Sequence, residues 1–123
     1  MEGYAPAPAP LSLGVQADNV LYVSGILALD KTWKQVAPGD IAAQTRHVIE
    51  AIAEIIAAAG GSLDDVVSNS IFLRNLEDYA AMNAVYAEYF TAPAPARYCV
   101  QANLVPPDCL VEICSIAHLP TRA

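Results

Sequence analysis

The sequence predicts an α+β fold, a single mixed β-sheet with two helices on one face in the order ββαβαββ. Three observations carry that prediction. Two segments repeat apolar residues at helical spacing, and five others have the composition of strands. They follow one another as strand, strand, helix, strand, helix, strand, strand, and short crossovers of this kind lay helices against one sheet. A length of 123 residues suits one such domain.

Residues 5–10 alternate Ala and Pro, which favours an extended lead-in whose prolines cannot donate to a sheet, so residues 1–10 read as an arm. The domain is assigned to 11–119 and a short tail to 120–123. The apolar stretch Leu11 to Gln16 runs into Asp18-Asn19, a turn signal. Val20 to Leu27 then reads as a mostly buried strand folding back on it. Asp30 to Gly39, polar and containing Trp33 and Pro38, is a loop. Asp40 is placed to cap a helix whose apolar positions are Ile41, Val48, Ile49, Ile52, Ile55, Ile56 and Ala59, and Gly60-Gly61 stops it. Val66 to Leu73 is a strand rich in β-branched and aromatic residues. Asn75 caps the second helix, with Glu77 and Asp78 in its first turn and a stripe of Tyr79, Met82, Val85, Tyr86, Tyr89 and Phe90. Pro93 and Pro95 end it, and two strands follow, Arg97 to Leu104 and Leu110 to His118.

Apolar residues make up 55% of the chain and charged ones 15%, above the ~45–50% apolar content of ordinary domains. With both helices on one face, the other face of the sheet is left apolar and uncovered within the chain, which points to packing between subunits. The net charge of −7, from six Lys+Arg against thirteen Asp+Glu, argues against a nucleic-acid partner. No run approaches the ~18 apolar residues of a membrane span, and the N-terminus lacks a basic segment followed by an apolar stretch. A soluble, cytoplasmic chain is the expectation. Cys99, Cys109 and Cys114 form no CxxC pair, which suits reduced thiols and disfavours structural zinc.

Along the strand from Arg97, residues Tyr98, Val100, Ala102 and Leu104 point one way and Arg97, Cys99, Gln101 and Asn103 the other. If the last two strands form a hairpin turning at Pro106-Pro107, Cys99 falls opposite Cys114 and Gln101 opposite Glu112. Arg97, Cys99, Glu112 and Cys114 then share a face. A one-residue slip would undo that arrangement. An Arg and a Glu at one pocket suit a small anionic substrate, the guanidinium gripping a carboxylate and the Glu holding or deprotonating a water. The competing reading is a structural ion pair between sheet and helix. His47 reads as a solvated helix residue, His118 as a strand end, and Cys99 as a small buried side chain. Ser24-Gly25 lies within a strand, where the Gly allows close approach to backbone, and Asn83 lies on the second helix. The H-x-E and P-C-x-x-C pair of zinc deaminases is missing, as are Gly-rich phosphate loops. No metal and no cofactor are expected.

The stretch Pro95-Ala96-Arg97-Tyr98-Cys99-Val100, followed by Leu104-Val105-Pro106 and Leu110-Val111-Glu112-Ile113, resembles the signature of the RidA (YjgF) enamine/imine deaminases. Tyr22-Val23-Ser24-Gly25, Ala43-Gln44-Thr45-Arg46, Ala58-Ala59-Gly60-Gly61 and Asp78-Tyr79-Ala80-Ala81-Met82-Asn83 extend the resemblance from about Val20 to His118. Gln44-Thr45-Arg46-His47-Val48, Asn69-Ser70-Ile71-Phe72 and Ser115-Ile116-Ala117-His118 are most similar to the RutC branch, associated with deamination of 3-aminoacrylate in pyrimidine catabolism. The resemblance implies a chorismate-mutase-like fold, a homotrimer with sites at subunit boundaries, and a small anionic enamine or imine as substrate. It implies that Arg97 binds the substrate carboxylate and Glu112 positions the attacking water, with Cys99, Ser24, Gly25 and Asn83 lining or supporting the site. Substrates the family also allows are 2-aminoacrylate and 2-aminomuconate-type products. A non-catalytic trimer binding a small carboxylate or ketoacid is the alternative from another class. Two positions depart from the family pattern: Leu11 stands where many members carry a Tyr, and Cys114 where a second Glu is common.

Overall fold

A computed structural model describes residues 3–120; the first two residues of the arm and the last three of the tail lie outside the described residues. The elements are β1 (Gly14–Ala17), β2 (Val20–Leu27), α1 (Ile41–Ala58), β3 (Val66–Leu73), α2 (Tyr79–Tyr89), β4 (Ala96–Gln101) and β5 (Val111–His118). Single 3₁₀ turns, Leu63–Asp65 and Leu76–Asp78, precede β3 and α2. This is the expected ββαβαββ order in one mixed sheet.

The sheet order is β1-β2-β5-β3-β4, antiparallel throughout except for the parallel pair β3 and β4. Asp18 turns the first hairpin at φ 54°, pairing Ala17 with Val20. Asp40 caps α1 by accepting from the Ala43 amide, and Gly60, at φ 89°, stops it in a conformation other residues adopt with strain. β2 and β3 both run antiparallel to β5, so α1 and α2 each connect parallel strands. Both crossovers step across the sheet in the same direction, and equal handedness places both helices on one face. The core lies between: Val48, Ile49, Ile52 and Ile56 of α1 and Met82 of α2 pack, fully buried, over Val23, Ile71, Leu73, Val111 and Ile113. On the other face Tyr22, Tyr98 and Val100 are 50%, 55% and 43% exposed.

Three expectations are corrected. β4 and β5 do not form a hairpin, because β5 inserts between β2 and β3 while β4 lies on the far side of β3. The connecting segment is a wide loop pinned by Arg74, which donates to the carbonyls of Leu104, Pro106 and Cys109. Asn75 precedes the 3₁₀ turn and makes no capping bond with its side chain, and α2 starts at Tyr79. His47 is half-buried, its Nε2 2.7 Å from the Leu29 carbonyl, because the loop after β2 folds over that side of α1. The lead-in docks on the same loop: the Ala5 amide donates to Lys31, the Trp33 indole donates to the Ala5 carbonyl, and Tyr4 packs on Trp33.

Candidate active site

The parallel pairing of β3 with β4 decides which way Arg97 faces. Arg97 is registered with Asn69 and Cys99 with Ile71, all on the helix side of the sheet. Glu112 is registered with Phe72 and Cys114 with Ser70, on the open side. The expected common face of Arg97, Cys99, Glu112 and Cys114 is therefore overturned, since it rested on the hairpin that does not form. Within one chain the sheet itself separates Arg97 from Glu112.

Arg97 sits at the sheet edge beneath α2. Tyr79, Asn83 and Tyr86 follow one another at four- and three-residue spacing, so they form a single stripe along the helix facing β4. Arg97 Nη2 donates to the Tyr79 hydroxyl at 2.9 Å. Its guanidinium carbon lies 4.8 Å from the Tyr86 ring centre and 5.7 Å from that of Tyr79, a stacked cation held by two rings. The half-buried Asn83 and Arg97 pull the Tyr79 phenol below its ordinary pKa. The Tyr86 ring is fixed from behind: Asn69, fully buried, donates to the Tyr86 hydroxyl at 2.9 Å and accepts from Ser115 at 2.6 Å. Leu76, Tyr79, Arg97, Tyr98 and Cys99 line an open cleft of about 440 Å³. Burial pushes the Cys99 thiol up more than Arg97 draws it down, which makes it a lining group and a poor nucleophile. Among the described residues no carboxylate pairs with Arg97, so the structural ion pair is not formed; the ion pairs are Lys31 with Glu54 and Arg46 with Glu88.

Glu112 lies on the other face against β2. A bulge between Val23 and Ile26 contains Ser24 and Gly25. A β-carbon at Gly25 would overlap Glu112 Oε2 and sit 3.1 Å from its Cδ, so glycine is what lets the carboxyl lie on the strand. Ser24 donates from its hydroxyl to the Ser12 carbonyl and from its amide to Leu13, which ties the bulge to the segment leading into β1. Cys114 donates to the Val23 carbonyl at 3.2 Å. Burial pushes the Glu112 carboxyl above its ordinary 4.5. Of the expected residues, Arg97, Cys99 and Asn83 are thus brought together at one edge, and Glu112, Gly25 and Ser24 together on the other face. Tyr79 and Tyr86 emerge as site residues that sequence reasoning assigned only to an apolar stripe. Their spacing with Asn83 was the available signal. Among the described residues no three His, Cys, Asp or Glu side chains cluster as metal ligands, and no helix is long and apolar enough to cross a membrane.

A stacked guanidinium at one edge of the sheet and a half-buried carboxyl on its other face, neither in an ion pair among the described residues, define a small α+β protein with a cleft suited to a compact anion. Comparison with known proteins gives that class a family. The family model described as Endoribonuclease L-PSP matches residues 3–119, and the chain belongs to this family, that of RidA (YjgF). It is 58% identical over 118 residues to the 3-aminoacrylate deaminase RutC of Acinetobacter baylyi, covering 96% of this chain and 94% of that protein. Among solved structures it is similar to RidA from the Antarctic bacterium Psychrobacter sp. PAMC 21119, at a TM-score of 0.85 and 37% identity, covering 94% of each chain. Yeast Mmf1 is similar at a TM-score of 0.86 and 32% identity, covering 95% of this chain and 93% of that one.

Proposed function

We propose that the protein is an enamine/imine deaminase whose substrate is 3-aminoacrylate, converted with water to malonic semialdehyde and ammonia. The observation that carries this reading is the placement of two charges that have no ion-pair partner among the described residues, Arg97 stacked in an open cleft and Glu112 half-buried on the opposite face. The similarity to a 3-aminoacrylate deaminase over nearly the whole chain supports the substrate. Because one chain holds the two groups on opposite faces, a site containing both is built between subunits, and the homotrimer implied by the resemblance supplies the second face. The apolar exposure of Tyr22, Tyr98 and Val100 supports such an assembly.

Arg97 holds the substrate carboxylate through its planar fork, and the two tyrosine rings fix the direction of that fork. The enamine takes up a proton on the carbon next to the carboxylate, and its nitrogen lone pair forms a C=N bond. Glu112 accepts a proton from water as the water oxygen bonds to the C=N carbon. The resulting carbinolamine receives that proton on nitrogen, the C–N bond breaks, and ammonia leaves as the carbonyl forms. The raised carboxyl pKa makes Glu112 a stronger base than an ordinary carboxylate. Positioning and one base, each contributing ~10²-fold or more, are adequate for a substrate that already hydrolyses in water. Coupled assays that generate 3-aminoacrylate or 2-aminoacrylate and follow ammonia test the reading. Arg97→Ala is expected to lose at least about 100-fold in kcat/KM on 3-aminoacrylate; equal rates for Arg97→Ala and the native protein on both substrates would overturn it.

A further inference from the structure

We propose that Asn69 is a positioning residue for the reaction: through the Tyr86 hydroxyl it holds the ring on which the Arg97 guanidinium lies, and so sets the direction in which that guanidinium meets the substrate carboxylate. The inference rests on Arg97 being the carboxylate anchor.

Ser115, Asn69 and Arg97 stand in one row across β5, β3 and β4, on the helix side of the sheet. The next helix-side residues of β3 are Ile71 and Leu73, both apolar and fully buried. Asn69 breaks that pattern, and a buried amide is unfavourable unless it is hydrogen-bonded. Its Nδ2 donates to the Tyr86 hydroxyl at 2.9 Å, and its Oδ1 accepts from Ser115 at 2.6 Å. Apolar side chains of similar shape at all three positions would fill the same space with little loss of stability. Folding alone therefore does not require an amide here.

The cleft gives it a use. The Cβ of Tyr86 is fixed by α2, so a bond at the far oxygen sets the long axis of the ring. Phe90, whose ring centre lies 4.6 Å away at an interplanar angle of 33°, limits rotation about that axis. The ring so held lies with its centre 4.8 Å from the guanidinium carbon of Arg97. Arg97 also donates from Nη2 to Tyr79 at 2.9 Å, but one hydrogen bond leaves a planar group free to pivot about it. Contact with the Tyr86 ring removes that freedom and leaves the remaining N–H groups for a carboxylate.

Tyr86→Phe keeps the ring and removes the oxygen that Asn69 holds. It is expected to raise KM on 3-aminoacrylate, and the malonate Kd read by calorimetry, about tenfold each. Asn69→Leu should do the same, and the two effects should not multiply in the double variant, because both break one bond. A loss of folded protein alone would lower apparent kcat and leave KM and the malonate Kd native. Combining Asn69→Leu, Tyr86→Phe and Ser115→Ala removes every polar side-chain group of the trio. The thermal midpoint of that triple variant should recover above that of Asn69→Leu, while KM and Kd stay raised. Native KM and Kd in Tyr86→Phe, or their return to native values in the triple variant, would overturn the proposal. Arg97→Ala, measured in parallel, separates the two failures. If it loses malonate while Tyr86→Phe binds malonate as the native protein does, only the role of Asn69 falls; if it too binds malonate as the native protein does, the anchor assignment falls.

Discussion

Gly25 and Glu112 form one unit, because the carboxyl occupies the space a side chain at position 25 would need. Gly25→Ala is therefore expected to displace the carboxyl and reduce kcat at least about tenfold. Its thermal midpoint should stay near native, since Gly25 is exposed and in a bulge, and paired activity and melting measurements check this. Desolvation raises the Glu112 pKa, and the sign of its two consequences differs. As a base it works when charged, so the rate should fall as pH drops through an apparent pKa above the ordinary 4.5; Glu112→Gln should lack that acid limb. For folding, a raised carboxyl pKa favours the folded state below the unfolded pKa, and that contribution is lost as pH rises through the folded one. Glu112→Gln should accordingly melt no lower than native at neutral pH. At Arg97 the fork matters as well as the charge. A lysine cannot reproduce the planar stack on Tyr86, so Arg97→Lys is expected to recover little of the kcat/KM lost in Arg97→Ala.

At the scale of elements, the buried chain Ser115, Asn69 and Tyr86 links β5, β3 and α2 behind Arg97. Asn69→Leu leaves two buried hydroxyls without their partner and is expected to cost about 2 kcal/mol in denaturant unfolding. The ends of α1 were readable because Asp40 and Gly60 act within one turn of chain. The bounds of β3 and the first hairpin were readable for similar local reasons, composition and the turn at Asp18-Asn19. The partner of β4 was not. Pro106-Pro107 looks like a tight turn locally, yet crossover geometry pairs β4 with β3, and Arg74, far away in sequence, shapes the loop that follows. That error carried into the site. Arg97 and Glu112 stood out as isolated charges in apolar strands, but their placement on opposite faces depends on strand order, which no local pattern records.

For the whole molecule, the open face gives the apolar excess of the sequence a place, with Tyr22, Tyr98 and Val100 exposed on the sheet. If the chain forms the proposed trimer through this face, Val100→Asp should dissociate it and abolish activity while preserving helical content, as light scattering and circular dichroism would report. The central claim is that each site takes Arg97 from one subunit and Glu112 from another. Co-expression of Arg97→Ala with Glu112→Gln tests it most directly. Random mixing in a cyclic trimer rebuilds about a quarter of the sites with both native groups, so purified mixed oligomers should recover up to about a quarter of native deaminase activity. Mixed oligomers no more active than the two inactive parents would contradict it.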